Sequence, residues 1–325
     1  MLVPESLLRT LRDEIAQSSR ILIVSHIRPD GDAVGSLLGM GLALQEVGKE
    51  VEMVLCDGLP GNFRHLVGSE KIVNSPRGTF EYIISVDASE TKRLGNALDG
   101  YPQPDLNVDH HITNTLFGRH NLVISEAVAT AEILAISLDY LGLPMTEPVA
   151  NALLTGIVTD TIGFRTSNMN PQSLRIAADL MEAGGDLSGT YYPALIQRSL
   201  PAARYWGAGL SKLQRENGLV WTTLSLLDRQ TVGYPGRDDA DLVNMLSSIE
   251  GADVALIFIE QSVNHVKISW RLCGNTALSL DLSQVAQQFG GGGHKAAAGA
   301  EIEGSLSDVQ ARVLSATRSL LARNG

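Results

Sequence analysis

Apolar and polar positions fall into alternating blocks along this chain. RILIVS (20–25), VEMVLC (51–56), YIISVD (82–87) and DLNVDH (105–110) are short runs of aliphatic and β-branched residues, the pattern of strands buried on both faces. Helical spacing takes over at 4–18, at 33–47 with Gly48 as a stop, and again at 128–141, 147–160 and 171–183. Strands interleaved with helices predict an α/β domain with a largely parallel sheet. Residues 186–215 stay helical in pattern but have no strand partner, so they read as a connector. A second set of strands follows at GLVWTTLS (218–225), ADVALIFIEQ (252–261) and HVKISWRL (265–272), with helices near 239–250, 278–289 and 305–322. The expected organisation is an α/β chain: an N-terminal parallel-sheet domain over 1–188, a helical connector over 189–216 and a smaller α/β domain over 217–325.

The strand ends carry unusual chemistry. RILIVS runs into His26, Asp30 and Asp32; YIISVD ends at Asp87; DLNVDH ends at Asp109 and His110, with His111 next; the helical segment NALLTGIVTDT carries Asp160 near its end. Strands of a parallel sheet end on one edge, so these groups can converge there. Each residue alone reads as a turn or helix cap. Together, so many acids and imidazoles in one place would be costly without compensation, and a divalent cation is the natural compensation. Carboxylate and imidazole without thiolate suit Mn²⁺, Mg²⁺, Fe²⁺ or Co²⁺ better than structural zinc. Two such ions ~3.5–4 Å apart, sharing a carboxylate, would suit phosphoester hydrolysis.

A different feature marks the C-terminal part. GGGGHKAAAG (290–299) supplies backbone free to adopt positive φ and to approach a ligand closely. The N–H groups of Gly291, Gly292 and Gly293 could form an anion nest, with His294 and Lys295 as further donors. Arg165, in the segment after Asp160, lies where a loop could reach the cleft, and Arg271 closes the apolar run HVKISWR. Trp206, Trp221 and Trp270 read as core residues rather than as stacking platforms.

Composition narrows the setting. The chain has 325 residues, 44% of them hydrophobic and 19% charged, which is more than one core usually serves and supports two domains. No apolar stretch approaches the ~18 residues of a membrane span, and MLVPESLLRTLRDEIAQSS lacks the basic start and apolar block of a signal peptide. Cys56 and Cys273 stand far apart in no paired motif, which argues against a disulfide framework and for a reducing cytoplasm. The net charge of −11, with no basic run, argues against a grip on long duplex nucleic acid. Short oligonucleotides and nucleotides stay open, because a metal can supply the positive charge.

SHIRPDGDAVGS, ISVDAS, NVDHHITN and TGIVTDT resemble, in order, the four N-terminal motifs of the DHH phosphoesterase superfamily. GGGGHKAAAG resembles the glycine-rich motif of its C-terminal DHHA1 domain, so the resemblance runs from about residue 20 to 302. The compact length is similar to the NrnA-type branch, which degrades short oligoribonucleotides (nanoRNA) and dephosphorylates 3′-phosphoadenosine 5′-phosphate (pAp). The resemblance implies a metal-dependent hydrolase acting on short RNA, in the 3′–5′ or the 5′–3′ direction, and on adenosine nucleotides, with two divalent ions, usually Mn²⁺. His26, Asp30 and Asp87 would hold the first ion. Asp32, Asp87, His110 and Asp160 would hold the second. His111 would sit beside the scissile phosphate as hydrogen-bond donor or general acid, and Asp109 would orient the histidines. Ser25 stands where many relatives have an acid. Gly291 to Lys295 would hold the terminal nucleotide, Arg271 would contact substrate phosphate as an arginine at a like place does in relatives, and relatives commonly form a homodimer. Competing readings are a cyclic di-AMP or pApA phosphodiesterase and a nucleotide sensor without catalysis. The family II pyrophosphatases, which share the N-terminal motifs, lack the GGGGH segment.

Overall fold

The structure, a computed structural model, describes residues 4–274 and 280–324. The last two residues of the CGNT turn and the first two positions of the helix expected at 278–289 lie outside that range. The chain divides into two units, Met1–Gln197 and Arg198–Gly325.

The first unit contains α1 (Glu5–Gln17), β1 (Arg20–Val24), α2 (Gly31–Glu46), β2 (Glu50–Val54), β3 (Tyr82–Val86), β4 (Leu106–Asp109), β5 (His120–Val123), α3 (Thr130–Ser137), α4 (Glu147–Asp160), α5 (Pro171–Glu182) and α6 (Leu187–Tyr191). Its five strands form a parallel sheet in the order β2-β1-β3-β4-β5. The continuous apolar runs of β1 and β3 follow from cover on both faces. Ile21, Ile23, Ile84 and Val86 belong to the large cluster that includes α2 and α4. Leu22, Val24 and Ile83 face the other way, onto Leu94, Ala97 and the half-buried Tyr101. Strand order reverses between β1 and β3, because α2 carries the chain outward to β2 and the return crosses to the other side of β1. Such a reversal opens a crevice beyond the strand ends.

Helix α2 is buried from Gly31 to Leu44. Glycine makes its approach to α4 feasible: a Cβ on Gly35 would lie 2.4 Å from the Ala152 carbonyl oxygen, and one on Gly156 would lie 2.7 Å from Asp32 Oδ1. The two helices that carry Asp32 and Asp160 are therefore held in close contact.

The second unit contains α7 (Leu200–Leu210), β6 (Gln214–Glu216), β7 (Leu219–Leu224), α8 (Leu226–Val232), α9 (Leu242–Leu246), β8 (Val254–Ser262), β9 (His265–Leu272), α10 (Leu282–Gln287), β10 (Gly292–Gly293), β11 (Ala297–Glu303) and α11 (Leu306–Asn324). Its sheet runs β10-β11-β9-β8-β7-β6, with only β7 and β8 parallel. Alternating residues feed two cores. Leu256, Phe258, Ile268 and Trp270 pack toward α10 and α11, and Ala255, Ile257 and Ile259 pack with Tyr205, Leu242 and Val243.

The structure departs from the sequence expectation at several elements. Strand β5 was not anticipated. Strand β11, which begins at Ala297 within GGGGHKAAAG, is likewise absent from the sequence expectation. The helix expected at 239–250 is confined to α9, since Ala240 and Asp241 take φ of 51° and 66°. Residues 189–216, expected as a separate connector, divide at Gln197 between the two units.

Candidate metal centre

Five chain segments bring acid and imidazole to the carboxyl edge of the parallel sheet. His26 follows β1; Asp30 and Asp32 open α2; Asp87 follows β3; Asp109 ends β4 and is followed by His110 and His111; Asp160 closes α4. Asp30 does act as a helix cap, its Oδ1 accepting from the N–H groups of Asp32 and Ala33 at 3.1 Å. His26 is buried, and its Nδ1 lies 2.8 Å from the Ile27 carbonyl oxygen. That contact places a proton on Nδ1 and turns Nε2 toward Asp87 Oδ2 at 3.3 Å and Asp30 Oδ1 at 3.7 Å. On the far side, His110 Nε2 lies 3.6 Å from Asp160 Oδ2, 3.8 Å from Asp87 Oδ1 and 4.0 Å from Asp32 Oδ2. Asp87 stands between the two groups. It leaves β3 with φ of 57°, a left-handed conformation unusual for a residue with a side chain.

Three sets of donor atoms each fit within 4.8 Å: His26 with Asp30 and Asp87, Asp32 with His110 and Asp160, and Asp87 with His110 and His111. Oxygen and imidazole donors without sulfur suit a hard or borderline divalent cation. Residues 20–157 match the DHH family N-terminal domain, and residues 231–322 match the DHHA1 domain. A bifunctional oligoribonuclease and PAP phosphatase NrnA of Thermus thermophilus is 34% identical over 94% of this chain and 91% of its own length. The chain belongs to the DHH family. A protein of the same description from Mycoplasma pneumoniae is 27% identical over 89% of each chain. An exopolyphosphatase-related protein from Bacteroides fragilis shares the fold, with a TM-score of 0.86, 22% identity and cover of 99% of this chain and 97% of its own.

Protonation in this DHH-family site follows from crowding. Burial disfavours the charged form of His26, but the facing carboxylates of Asp30 and Asp87 outweigh it and push its pKa up to about 10. His111 is likewise opposed by burial and raised to about 9, chiefly by Asp109 Oδ1, 2.7 Å from its Nδ1. Asp109 is itself fully buried and accepts a second bond from Asn114 Nδ2 at 2.6 Å. Burial and the charges of Asp87 and Asp160 raise Asp32; burial with Asp30 and Asp87 raises Asp160 to about 8. Asp87 goes the other way: burial works against its charge, yet the bond to His26 and the charges of His110 and His111 hold it below the usual carboxylate range. In a metal-free site, protons occupy positions for which a cation competes.

Ser25 does not face the donors. Its Oγ donates to the Val86 carbonyl at 2.8 Å and ties β1 to β3 beneath them. Arg165 is exposed, its Nε donating to the Ile162 carbonyl at 3.0 Å. It belongs to a turn in which Ile162, Gly163 and Phe164 all have positive φ. The remaining candidates lie in the second unit. Arg271 is half-buried on β9, its Nη1 donating to the Trp270 carbonyl at 2.9 Å; burial lowers its pKa against the pull of Asp239 and Asp241. Gly292 and Gly293 pair with Gly299 and Ala298. A Cβ on Gly291 would lie 2.2 Å from the Gly299 carbonyl oxygen, and one on Gly293 2.5 Å from that of Ala297. These two glycines are thus required where the hairpin closes on itself. His294 and Lys295 are exposed in its turn.

Sequence reasoning missed the donors that orient the carboxylates. Ser36 Oγ and the N–H groups of Thr130 and Ala131 all bond Asp32. The only trace in the sequence is Glu132, an acid early in an apolar helical stretch, which marks a helix start but not what that start faces.

Proposed function

We propose that this chain is a metal-dependent phosphoesterase that hydrolyses short oligoribonucleotides to mononucleotides and pAp to AMP. The observation that carries this reading is the convergence of His26, Asp30, Asp32, Asp87, His110 and Asp160 around one point of a sheet edge. His26, Asp30 and Asp87 would hold one divalent ion, and Asp32, Asp87, His110 and Asp160 a second, with Mn²⁺ the preferred metal. Bound ions would supply charge to neutralise phosphate oxygens and to acidify water.

The protein's own groups do the rest. Asp87, which belongs to donor sets on both sides of the site, would help to hold both ions. His111, kept protonated by Asp109, donates to the leaving oxygen. Gly291, Gly292, Gly293, His294, Lys295 and Arg271 hold the nucleotide end of the substrate, and Arg165 contacts phosphate. The names of the NrnA relatives support the choice of substrate, and the net charge of −11 favours a small substrate over long nucleic acid. Two free cysteines, Cys56 and Cys273, support a cytoplasmic setting. Among the described residues no helix is long and apolar enough to cross a membrane.

The test is product release from pAp, RNA of two to five nucleotides, pApA, cyclic di-AMP and pyrophosphate, each with Mn²⁺ and with EDTA. Metal-dependent release from pAp and short RNA is expected. Turnover of cyclic di-AMP alone would move the protein to dinucleotide signalling. Binding of pAp with Mn²⁺ and no turnover of anything would make it a sensor.

A further inference from the structure

The structure assigns Thr130 as the positioning residue that locks two metal-ligating carboxylates, Asp32 and Asp87, in one relative orientation. The assignment rests on the proposed metal site. The first N–H groups of any helix lack partners within it. In α3 the first two are aimed at Asp32: Thr130 N–H meets Oδ2 at 2.6 Å, and Ala131 N–H meets Oδ1 at 3.0 Å. Ser36 Oγ adds a second donor to Oδ1 at 3.2 Å. A carboxylate oxygen offers about two acceptor positions, so Oδ1 is used up and Oδ2 keeps one. Asp32 therefore presents a single oxygen to a cation.

The hydroxyl of the same residue turns to the other carboxylate. Thr130 Oγ1 donates to Asp87 Oδ1 at 3.0 Å. Asp87 retains an acceptor position on each oxygen, as a ligand shared by two ions requires. Thr130 is wholly buried, and its own place is fixed. Glu132 Oε2 accepts from the Val128 N–H at 2.6 Å, and its Oε1 accepts from Ser173 Oγ, on α5, at 2.9 Å. A run of buried hydrogen bonds thus leads from α5 through the start of α3 to carboxylates that come from α2 and from the end of β3. Without such donors a carboxylate swivels about its last torsion, and partners of this kind change metal affinity about 10–100-fold.

The experiment is Mn²⁺ titration of the metal-free full chain, by calorimetry and by the electron paramagnetic resonance of free Mn²⁺. Thr130→Val keeps the shape and both α3 N–H bonds but removes the hydroxyl, and Thr130→Ala removes it without a branched side chain. Both are expected to weaken Mn²⁺ binding about 10–100-fold, while Thr130→Ser stays close to wild type. Circular dichroism of the metal-free proteins checks that each is folded. Wild-type affinity in a folded hydroxyl-free variant would overturn the assignment. So would a loss in Thr130→Ser equal to that in Thr130→Val, or unfolding of both hydroxyl-free variants, which would make the hydroxyl structural. Asp87→Asn separates the two levels: if it also binds Mn²⁺ normally, the metal site itself is wrong. If Asp87→Asn loses Mn²⁺ while Thr130→Val does not, only the positioning role fails.

Discussion

His111 and His110 are neighbours in sequence with different surroundings. His110 points its Nε2 at Asp32, Asp87 and Asp160, whereas His111 is tied through Nδ1 to the buried Asp109. The first arrangement suits a ligand and the second a proton donor held in one orientation. Replacing His111 with Gln should lower kcat about 10²–10⁴-fold while Mn²⁺ content, measured on the purified variant, stays at the wild-type level. Loss of metal in that variant would place His111 among the ligands instead. Residues that carry charge at strand ends were legible in the sequence, because acid and imidazole are unusual at the close of an apolar run. Thr130, Ser36 and Asn114 were not. Nothing in the type or spacing of a threonine reveals that its hydroxyl will meet a carboxylate from a strand far back in the chain.

At the scale of elements, two devices hold the site in place. One is the close packing of α2 on α4. Ala at position 35 would press its Cβ against the Ala152 carbonyl, which is backbone and cannot rotate away. Gly35→Ala should therefore destabilise the fold by about 1–3 kcal/mol in urea denaturation and weaken Mn²⁺ binding, because Asp32 and Asp160 ride on the two helices forced apart. The other is the attachment of α1 to the opposite edge of the sheet. Glu14 accepts from Arg119 Nη1 at 2.7 Å and Nη2 at 2.9 Å, and from the Tyr82 hydroxyl at 3.2 Å. Burial favours its neutral form, but the bonds to Arg119 and His120 outweigh that and hold its pKa below the ordinary 4.5. A depressed acid contributes stability that is fully present above 4.5 and is lost as the pH falls through the folded-state value. Glu14→Gln should melt below wild type at neutral pH by a modest margin, under about 1 kcal/mol for so exposed a pair. The gap should close on acidification below 4.5, and a gap that widened there would refute the charge argument. Elements were legible in proportion to their apolar content. β1 and β3 declare themselves by unbroken aliphatic runs. HNLV in β5 is short and mostly half-buried. AAGAEIE in β11 is built, apart from Ile302, of residues that seldom favour strands, and it becomes one through its pairing with β9.

For the whole molecule, the buried clusters decide what can stand alone. Among the described residues, the two clusters of the first unit draw only on residues before 198, and the two of the second only on residues after it. Neither unit therefore borrows core from the other. All six proposed ligands, together with Thr130, Glu132 and Ser173, belong to the first unit, whereas His294, Lys295 and Arg271 belong to the second. A fragment of residues 1–197 should accordingly unfold cooperatively and bind Mn²⁺ with the stoichiometry of the full chain and an affinity within a small factor of it. Its turnover of pAp should collapse, because the groups proposed to hold the nucleotide are gone. In the full chain, His294→Ala should raise KM for pAp and leave metal content unchanged. Calorimetric titration of the fragment with Mn²⁺ separates the alternatives. Binding equal to that of the full chain, with pAp turnover lost, assigns metal chemistry to one unit and substrate grip to the other. A folded fragment that no longer binds Mn²⁺ would mean that the second unit supplies part of the metal site, and the ligand set drawn from residues 26 to 160 would be incomplete.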